Sequence, residues 1–486
     1  MTSVLGHLEP KSVWKYFEEI CKIPRPSKKE EKIIAYLVDF AKAQKLEYKT
    51  DDLNNVLISK PATKGFENRK TVVLQSHLDM VGEKNSDTKH DFEKDAILPR
   101  IDGELVYATG TTLGADDGIG IAAQMAILVA DDIPHGPIEC LFTVDEETGL
   151  TGAFGLQPGF FEAKTLINLD SEDWGEIFIG CAGGRDTKAE FTFTKYPVPC
   201  AMSFYRIAVT GLQGGHSGDE IHNGLGNSIK IVNRFILETR EKYSVFVADI
   251  NGGNARNAIP REAFATLLVN EKHAADFEDF VKIFNKNLRN ELCVTAPDLK
   301  IEVEKTEKPE FIIDLTTQAK LSMAIAACPH GEQAWSQTLD NLVETSTNLA
   351  TIKTEGDKVL IGTSQRSSIQ SKLDDMVHTV QSVFKLAGAK VISSDGYPGW
   401  EPNPDSEIVR ISEASYKRLF NSDPEVKAIH AGLECGLIGV KYPGIDMVSI
   451  GPDIKGAHTP EERINIQTTI DFWELLLDML KNIPIR

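Results

Sequence analysis

The sequence is short of positive charge and of long apolar runs. Its 486 residues contain 52 lysines and arginines against 72 aspartates and glutamates, which gives a formal net charge of −20. A surface of this sign repels phosphate backbones and anionic lipids, which argues against nucleic acid or a membrane as a partner. No apolar run approaches the length of about 20 residues that is needed to cross a bilayer.

Paired cysteines and a signal peptide are also lacking. The seven cysteines are odd in number, scattered, and never spaced as C-x-x-C. This pattern indicates reduced thiols rather than disulfides or a structural zinc site. The first fifteen residues lack the charged-then-apolar pattern of a secretory signal. We therefore expect a cytoplasmic protein.

Strand and helix patterns alternate through the first part of the chain. Apolar runs predict strands at 55–59, 71–75, 138–144 and 166–169, and helical periodicity covers 11–23 and 118–129. Ser27, followed three residues later by Glu30, predicts a capping box and a helix that begins at Ser27. The alternation predicts an α/β fold in which helices flank a mostly parallel sheet.

Five short motifs place acidic and imidazole side chains just after apolar runs or in glycine-rich turns. In chain order they contain His77 and Asp79, Asp116 and Asp117, Glu146 and Glu147, Asp170, and finally His458. Each motif alone is typical of a turn or a solvated loop. Because open α/β sheets bind ligands at the carboxyl ends of their strands, the five together indicate one polar site.

The chemistry of these side chains suits divalent metal ions. Two imidazoles and three carboxylates are enough ligands for two metals that share Asp116, which favours a two-metal hydrolase with zinc as the default ion. His77 would bind a metal while Asp79 orients its other ring nitrogen. Of the adjacent Glu146 and Glu147, one would bind metal and the other would act as the general base, and the residues leave open which is which.

The pattern changes near residue 185. Strands with one polar face are interleaved with amphipathic helices at 226–243, 274–292, 316–327 and 367–386, which predicts an α+β domain. A strand–helix–strand theme occurs twice, so the domain is a candidate doubled module. Since His458 lies beyond it, we expect a discontinuous catalytic domain at 1–184 and 397–486 with this domain inserted at 185–396.

The motifs resemble those of a known family, the co-catalytic di-zinc peptidases that include carboxypeptidase G, aminoacylase, tripeptidase and the carnosinases. The resemblance covers essentially the whole chain. It rests on Ser76-His-Leu-Asp-Met-Val, Gly110-Thr-Thr-Leu-Gly-Ala-Asp-Asp-Gly, Glu146-Glu-Thr-Gly-Leu-Thr-Gly-Ala, Gly214-Gly-His-Ser-Gly, His430-Ala-Gly-Leu-Glu-Cys-Gly and Gly456-Ala-His-Thr-Pro.

The resemblance implies a division of roles at the metal site. It implies two Zn²⁺ ions per chain, with Co²⁺ or Mn²⁺ as other possible ions. One metal would be held by His77, Asp116 and Asp170, and the other by Asp116, Glu147 and His458. Asp79 would orient His77, and Glu146 would be the general base. The peptide bond between Asp116 and Asp117 would be cis.

The inserted domain is a lid in the family. The resemblance implies that His216 stabilises the oxyanion and that Asn257 and Arg366 bind the terminal carboxylate of the peptide. Glu434 would receive the free amino terminus. A surface charge or a structural ion pair is the alternative for Arg366 and for Glu434. Relatives with a single-unit lid dimerise through it and take the lid histidine from the partner, whereas a doubled lid would supply that group within one chain. The sequence leaves both arrangements open, a homodimer through the lid and a chain that acts alone.

The expected activity is hydrolysis of unblocked dipeptides, most closely those with a C-terminal histidine such as β-alanyl-histidine. An amidohydrolase acting on N-acyl amino acids is the alternative, because it would keep every metal ligand and differ in the pocket for the amino terminus. A non-catalytic metal-binding scaffold is the second alternative, and loss of Glu146 or of a ligand would have favoured it.

Overall fold

A computed structural model describes residues 3–403 and 405–486, so Met1, Thr2 and Pro404 lie outside the described residues. The chain divides into two compact units. The first unit consists of Met1–Cys181, Trp400–Ala428 and Leu433–Arg486, and the second of Ala182–Gly399 and Ile429–Gly432. The sequence predicts domain boundaries at 184/185 and 396/397. These boundaries stay a prediction.

An eight-stranded mixed sheet forms the centre of the first unit. Its strands lie in the spatial order Glu47–Thr50, Val56–Lys60, Ile138–Thr143, Val72–His77, Thr165–Asn168, Asp446–Ser449, Glu176–Cys181 and Glu425–Ile429. The four strands from Ile138–Thr143 to Asp446–Ser449 run parallel to one another, and antiparallel strands flank them. The predicted α/β fold class is confirmed, with a parallel centre rather than a parallel sheet throughout.

The helices of the first unit cover this sheet. They are Lys11–Ile20, Glu31–Gln44, Ala115–Val129, Glu146–Gly149, Thr151–Gly155, Glu407–Phe420, Glu434–Lys441 and Ile466–Asn482. The helix Ala115–Val129 is made of small and apolar residues and is buried along nearly all of its length. A second, four-stranded sheet pairs Ile454–Lys455, Arg463–Asn465, Leu105–Ala108 and Pro99–Asp102. Its strands Pro99–Asp102 and Leu105–Ala108 form a hairpin.

A nine-stranded sheet organises the second unit. Along its path lie Lys300–Lys305, Met202–Thr210, Ala263–Asn270, Phe246–Gly252, Val343–Glu355, Lys358–Ser367, Gly183–Thr192 and Lys390–Ser393, and Gly331–Trp335 pairs with Val343–Glu355. A two-stranded pair, Lys195–Tyr196 and Ile312–Ile313, stands apart from it. The helices are Ser228–Tyr243, Ala274–Glu291, Leu315–Ala327 and Gln370–Leu386, with a 3₁₀ turn at Glu271–His273.

The long sheet joins two similar halves. Each half of the path contributes four strands, and the halves meet where Gly252 pairs with Ile352. An apolar core that includes Phe235, Phe277 and Phe384 fills the space between sheet and helices. This is the inserted α+β unit that the sequence predicts, and its halves follow the repeated strand–helix theme.

Several local features differ from the prediction, and two of them have a clear physical reason. The capping box at Ser27 is wrong, since the helix begins at Glu31 and the Glu30 carboxylate accepts the backbone N–H groups of Lys28 and Asp145 instead. The strand Val343–Glu355 was not predicted, because its first six residues are buried although most of them are polar, so no alternation is visible.

The thiols and the helix lengths complete the description of the fold. All seven cysteines are among the described residues, and each is a free thiol. None of the helices in the described chain combines the length and the apolar character that a bilayer span requires.

Candidate active site

Three neighbouring parallel strands end at one edge of the first unit's sheet. His77 is the last residue of its strand and stands opposite Thr143, after which the chain turns into Glu146 and Glu147. On the other side, the strand Thr165–Asn168 ends two residues before Asp170. The parallel register therefore brings imidazole and carboxylate groups together at the strand ends, as the sequence predicts.

Asp116 lies at the centre of this group. Its Oδ1 is 2.9 Å from His77 Nε2, and its Oδ2 is 3.1 Å from His458 Nε2. His77 Nε2 is also 3.3 Å from Asp170 Oδ1, and His458 Nε2 is 2.9 Å from Glu147 Oε2. All five residues predicted to bind metal thus converge, and the two oxygens of one carboxylate separate the two imidazoles.

Unusual backbone conformations present these side chains. Gly114 has φ 69° and precedes the helix that begins at Ala115, so a residue without Cβ is favoured there. The peptide bond between Asp116 and Asp117 is cis, as the resemblance implied. His458 has φ 62° in the loop between two short strands.

Asp79 orders the turn that carries the two glutamates. Its buried carboxylate accepts the backbone N–H groups of Glu146, at 2.9 Å, and of Glu147, at 3.2 Å. Asp79 Oδ1 also lies 3.4 Å from His77 Nδ1. Asp79 therefore contacts the glutamate turn through two hydrogen bonds and lies beside the His77 imidazole.

Burial and crowding of like charges shift the pKa values of the site. Burial raises the pKa of Glu146 well above its ordinary value, and burial together with Asp116 raises that of Glu147 to about 7. Burial opposes ionisation of Asp116, yet the hydrogen bonds from His458 and His77 lower its pKa. Hydrogen bonds to Asp116 and Glu147 raise the pKa of His458 to about 11. The site therefore carries an excess of negative charge that favours a bound cation.

The donor set fits divalent metal ions. One group of ligand atoms comes from His77, Asp116 and Asp170 and a second from Asp116, Glu147 and His458, and within each group the atoms lie within 4.8 Å of one another. The buried Oε1 of Glu147 has no hydrogen-bond partner within the described part of the chain. Imidazole nitrogen and carboxylate oxygen are the ligands that zinc and similar ions accept.

Two further acidic groupings differ in character. Glu146 groups with His77 and Glu147, which places its carboxylate beside the metal ligands. Glu30, Asp79 and Asp145 form another group, but its oxygens already accept backbone N–H groups and the hydroxyls of Thr148 and Thr151. That second grouping is therefore a structural network.

Glu434 is fully buried beneath the strand ends. Its Oε2 accepts hydrogen bonds from Gln75 Nε2 and Thr143 Oγ1, both at 2.6 Å. Its Oε1 has no partner among the described residues, and burial raises the pKa of the carboxyl to about 7. The surface-charge alternative for Glu434 is therefore wrong, and one oxygen is free to receive a donor.

The remaining predicted site residues lie in the second unit. His216 Nδ1 is 3.0 Å from Asp219 Oδ2, and the carbonyl of Asn257 accepts the backbone N–H of Ser217 while the Asn257 side chain is exposed. Arg366 is buried, and its Nη1 donates to the Tyr397 hydroxyl at 3.3 Å. Its Nε has no partner among the described residues.

His430 shares this neighbourhood in the second unit. Its Nε2 lies 2.7 Å from Ser346 Oγ, and its carbonyl accepts a hydrogen bond from Arg366 at 3.4 Å. Burial and the nearby Arg366 guanidinium lower the pKa of His430 to about 3, so the imidazole is neutral. The sequence left the role of this histidine open.

Sequence reasoning missed two buried charges in the first unit. Glu462 accepts backbone N–H groups from the loop before Asp116, and Arg25 donates to carbonyls of the same loop and of the segment after His77. Both act on backbone groups, so no pattern of side chains signals them. The position of Glu462 four residues after His458 was the available hint.

Three comparisons with known proteins agree with this geometry. The sequence profile of Peptidase family M20/M25/M40 matches residues 73–482. A cytosol non-specific dipeptidase of Escherichia coli K12 is 43% identical over 484 residues, which cover 100% of both chains. The crystal structure of an aminoacylhistidine dipeptidase from Vibrio alginolyticus is 42% identical, with a TM-score of 0.90 over 100% of this chain and 99% of that one.

A more distant structure shows the fold alone. The aminopeptidase PepT from Bacillus cereus is 18% identical, with a TM-score of 0.58 over 98% of this chain and 100% of that one. The family profile and the two full-length relatives confirm the resemblance drawn from the motifs and the expectation of an enzyme that hydrolyses peptide bonds. The chain belongs to Peptidase family M20/M25/M40.

Proposed function

We propose that the protein is a cytosolic di-zinc dipeptidase that hydrolyses unblocked dipeptides, chiefly those with a C-terminal histidine. The single observation that carries the proposal is the Asp116 carboxylate, which has one imidazole at each oxygen while Glu146 lies beside the same group. The relatives named as a cytosol non-specific dipeptidase and an aminoacylhistidine dipeptidase support the substrate class and the compartment.

His77, Asp116 and Asp170 would hold one zinc ion, and Asp116, Glu147 and His458 the other. When bound, such ions lower the pKa of a water from 15.7 to about 7 and polarise the peptide carbonyl. Glu146 takes the proton of the attacking water and delivers it to the leaving amine. Burial raises the pKa of the Glu146 carboxyl above its ordinary value, which is the direction that helps a carboxylate to hold the proton between the two transfers.

Asp79 is a positioning residue in this account. Its carboxylate receives the backbone N–H groups of Glu146 and Glu147 and faces His77, so it orients the base and one ligand together. Glu434 would bind the ammonium of the unblocked amino terminus through its free Oε1.

We propose that the second unit supplies the remaining substrate contacts. His216 would donate to the oxyanion, and Arg366 and Asn257 would bind the terminal carboxylate. The buried guanidinium with an unused Nε supports that role for Arg366, because its fork matches a carboxylate.

The proposed activity is tested with β-alanyl-histidine. Zinc-loaded protein is expected to release free histidine, and an aliquot treated with a chelator is expected to release none. Restoring zinc to the chelated aliquot should restore the rate. The readout is free histidine, measured by amino-acid analysis over time.

N-Acetyl-histidine is the matched control substrate, since it has the same carboxylate and imidazole but no ammonium. The dipeptidase proposal expects cleavage of β-alanyl-histidine alone. Preferential cleavage of N-acetyl-histidine by metal-replete protein would contradict it and favour an N-acyl amino acid amidohydrolase. Unchanged release after chelation would contradict the metal-dependent mechanism.

Arg366→Ala is expected to raise KM for dipeptides by about 30-fold or more, since truncating one partner of a buried charge pair costs about 2 kcal/mol or more. The steady-state kinetics should show a smaller effect on kcat. A dipeptide whose C-terminus is an amide should respond little to the substitution, because it offers no carboxylate. Equal losses on both substrates would contradict a carboxylate-binding role.

A further inference from the structure

We propose that Glu462 and Arg25 form an opposite-charge backbone clamp that positions the metal ligands, and that this clamp sets the affinity for the metal ions. The inference rests on the proposed di-metal function. Neither side chain would touch metal or substrate, so both are positioning residues. Every contact of the clamp lies within the first unit.

Glu462 gathers four consecutive backbone N–H groups with one carboxylate. Its Oε2 accepts from Leu113 at 2.7 Å and from Gly114 at 2.9 Å, and its Oε1 accepts from Ala115 at 2.7 Å and from Asp116 at 3.4 Å. Only 2% of the residue is exposed. Each oxygen accepts two N–H groups, which is the pattern of an ionised carboxylate.

Arg25 holds the carbonyl side of the same loop. Its Nη2 donates to the Gly114 carbonyl, and its Nη1 donates to the carbonyls of Leu78 and Asp79. Only 3% of the residue is exposed. Gly114 thus gives its N–H to a buried anion and its carbonyl to a buried cation, which leaves this left-handed residue little freedom to move.

The clamp connects three segments that carry proposed ligands. Arg25 reaches the two residues after His77, and Glu462 reaches the loop that ends at Asp116. Glu462 also closes the turn after His458, since its own N–H donates to the Thr459 carbonyl. Holding these segments sets the separation between both imidazoles and the shared carboxylate, on which the affinity for two ions depends.

The close packing around Gly114 also supports the proposed clamp. A Cβ at this position would stand 2.7 Å from Arg25 Nη2, and one at Gly118 would stand 2.7 Å from the same nitrogen. The two glycines therefore let the guanidinium approach the backbone on both sides of Asp116. A lysine at position 25 would keep the charge but could not bridge the two segments with a planar fork.

The test measures zinc affinity of the full-length protein by competition with a chromophoric chelator. Glu462→Gln is expected to raise the zinc Kd by about 10- to 100-fold, the usual range when a group that orients metal ligands is lost. The amide keeps the size of the side chain but turns one acceptor into a donor that faces backbone N–H groups. Arg25→Lys should raise the Kd in the same direction.

Glu139→Gln is the matched control, since Glu139 is also a buried carboxylate that accepts backbone N–H groups, those of Glu162 and Ala163, at the far end of its strand. We expect this variant to lose thermal stability without a change in zinc Kd. Wild-type zinc affinity in both Glu462→Gln and Arg25→Lys, with stability lowered as in the control, would overturn the clamp alone. A wild-type protein that binds no zinc would overturn the proposed function as well.

Discussion

Glu146→Gln is expected to lower kcat by about a thousandfold, within the range of about 10²–10⁴ that a positioned general base supplies. Glutamine fills the same space and accepts one hydrogen bond, but it cannot take a proton from water. The backbone N–H of residue 146 would still donate to Asp79, so the turn and the metal ligands should stay in place. The measurement is steady-state kinetics on β-alanyl-histidine, with zinc content determined on the same sample.

Two comparisons make this prediction specific. Glu139→Gln alters a buried glutamate on the strand that leads to the site, and it should leave kcat unchanged. Glu147→Gln should instead lower the zinc content, because Glu147 is a proposed ligand. If Glu146→Gln keeps wild-type kcat, or if it loses zinc as Glu147→Gln does, the proposed assignment of the two glutamates is contradicted.

Asp116→Ala is expected to remove both metal ions and to lower kcat/KM by more than about a thousandfold, since bound metals supply several kcal/mol to the transition state. This carboxylate belongs to both ligand groups and contacts both imidazoles. Without it, neither of the two proposed ligand groups is complete. Metal analysis after gel filtration measures the loss.

Asp170→Ala provides the contrast, because Asp170 belongs to only one of these two groups. We expect this substitution to weaken the binding of one ion and to leave the other ion bound. Glu30→Gln tests the structural acidic network and should keep the full metal content, since its Oε1 still accepts a backbone N–H. Asp116→Ala protein that keeps two ions per chain would show that this residue is not the shared ligand.

The elements that position the site could largely be predicted from the sequence. Apolar runs end close to His77, Glu146 and Asp170, and the structure ends its parallel strands at Val72–His77, Ile138–Thr143 and Thr165–Asn168. Burial of a parallel strand on both faces produces such runs, so strand and site are visible together. The assignment of His458 to one metal together with Asp116 and Glu147 came only from the family resemblance.

What was missed depends on contacts that are distant along the chain. Glu30 looks like a helix cap from its spacing, but its carboxylate binds the backbone of Asp145 far away in sequence. Glu462 and Arg25 bind backbone N–H and carbonyl groups. Because nearly every residue has these groups, the order of side chains in the sequence does not reveal which residues are the partners. The strand Val343–Glu355 has buried polar residues that satisfy each other across the sheet, as when Thr345 pairs with Ser367.

The most direct test of the central claim starts from protein whose metal has been removed with a chelator. Zinc is titrated into this protein, and the recovery of its activity on β-alanyl-histidine is followed. Two ions that share Asp116 predict that activity rises until two zinc ions per chain are bound and then stays constant. Asp116→Ala should show no return at the same zinc concentrations. Full activity at one ion per chain, or activity that never depended on zinc, would contradict the account.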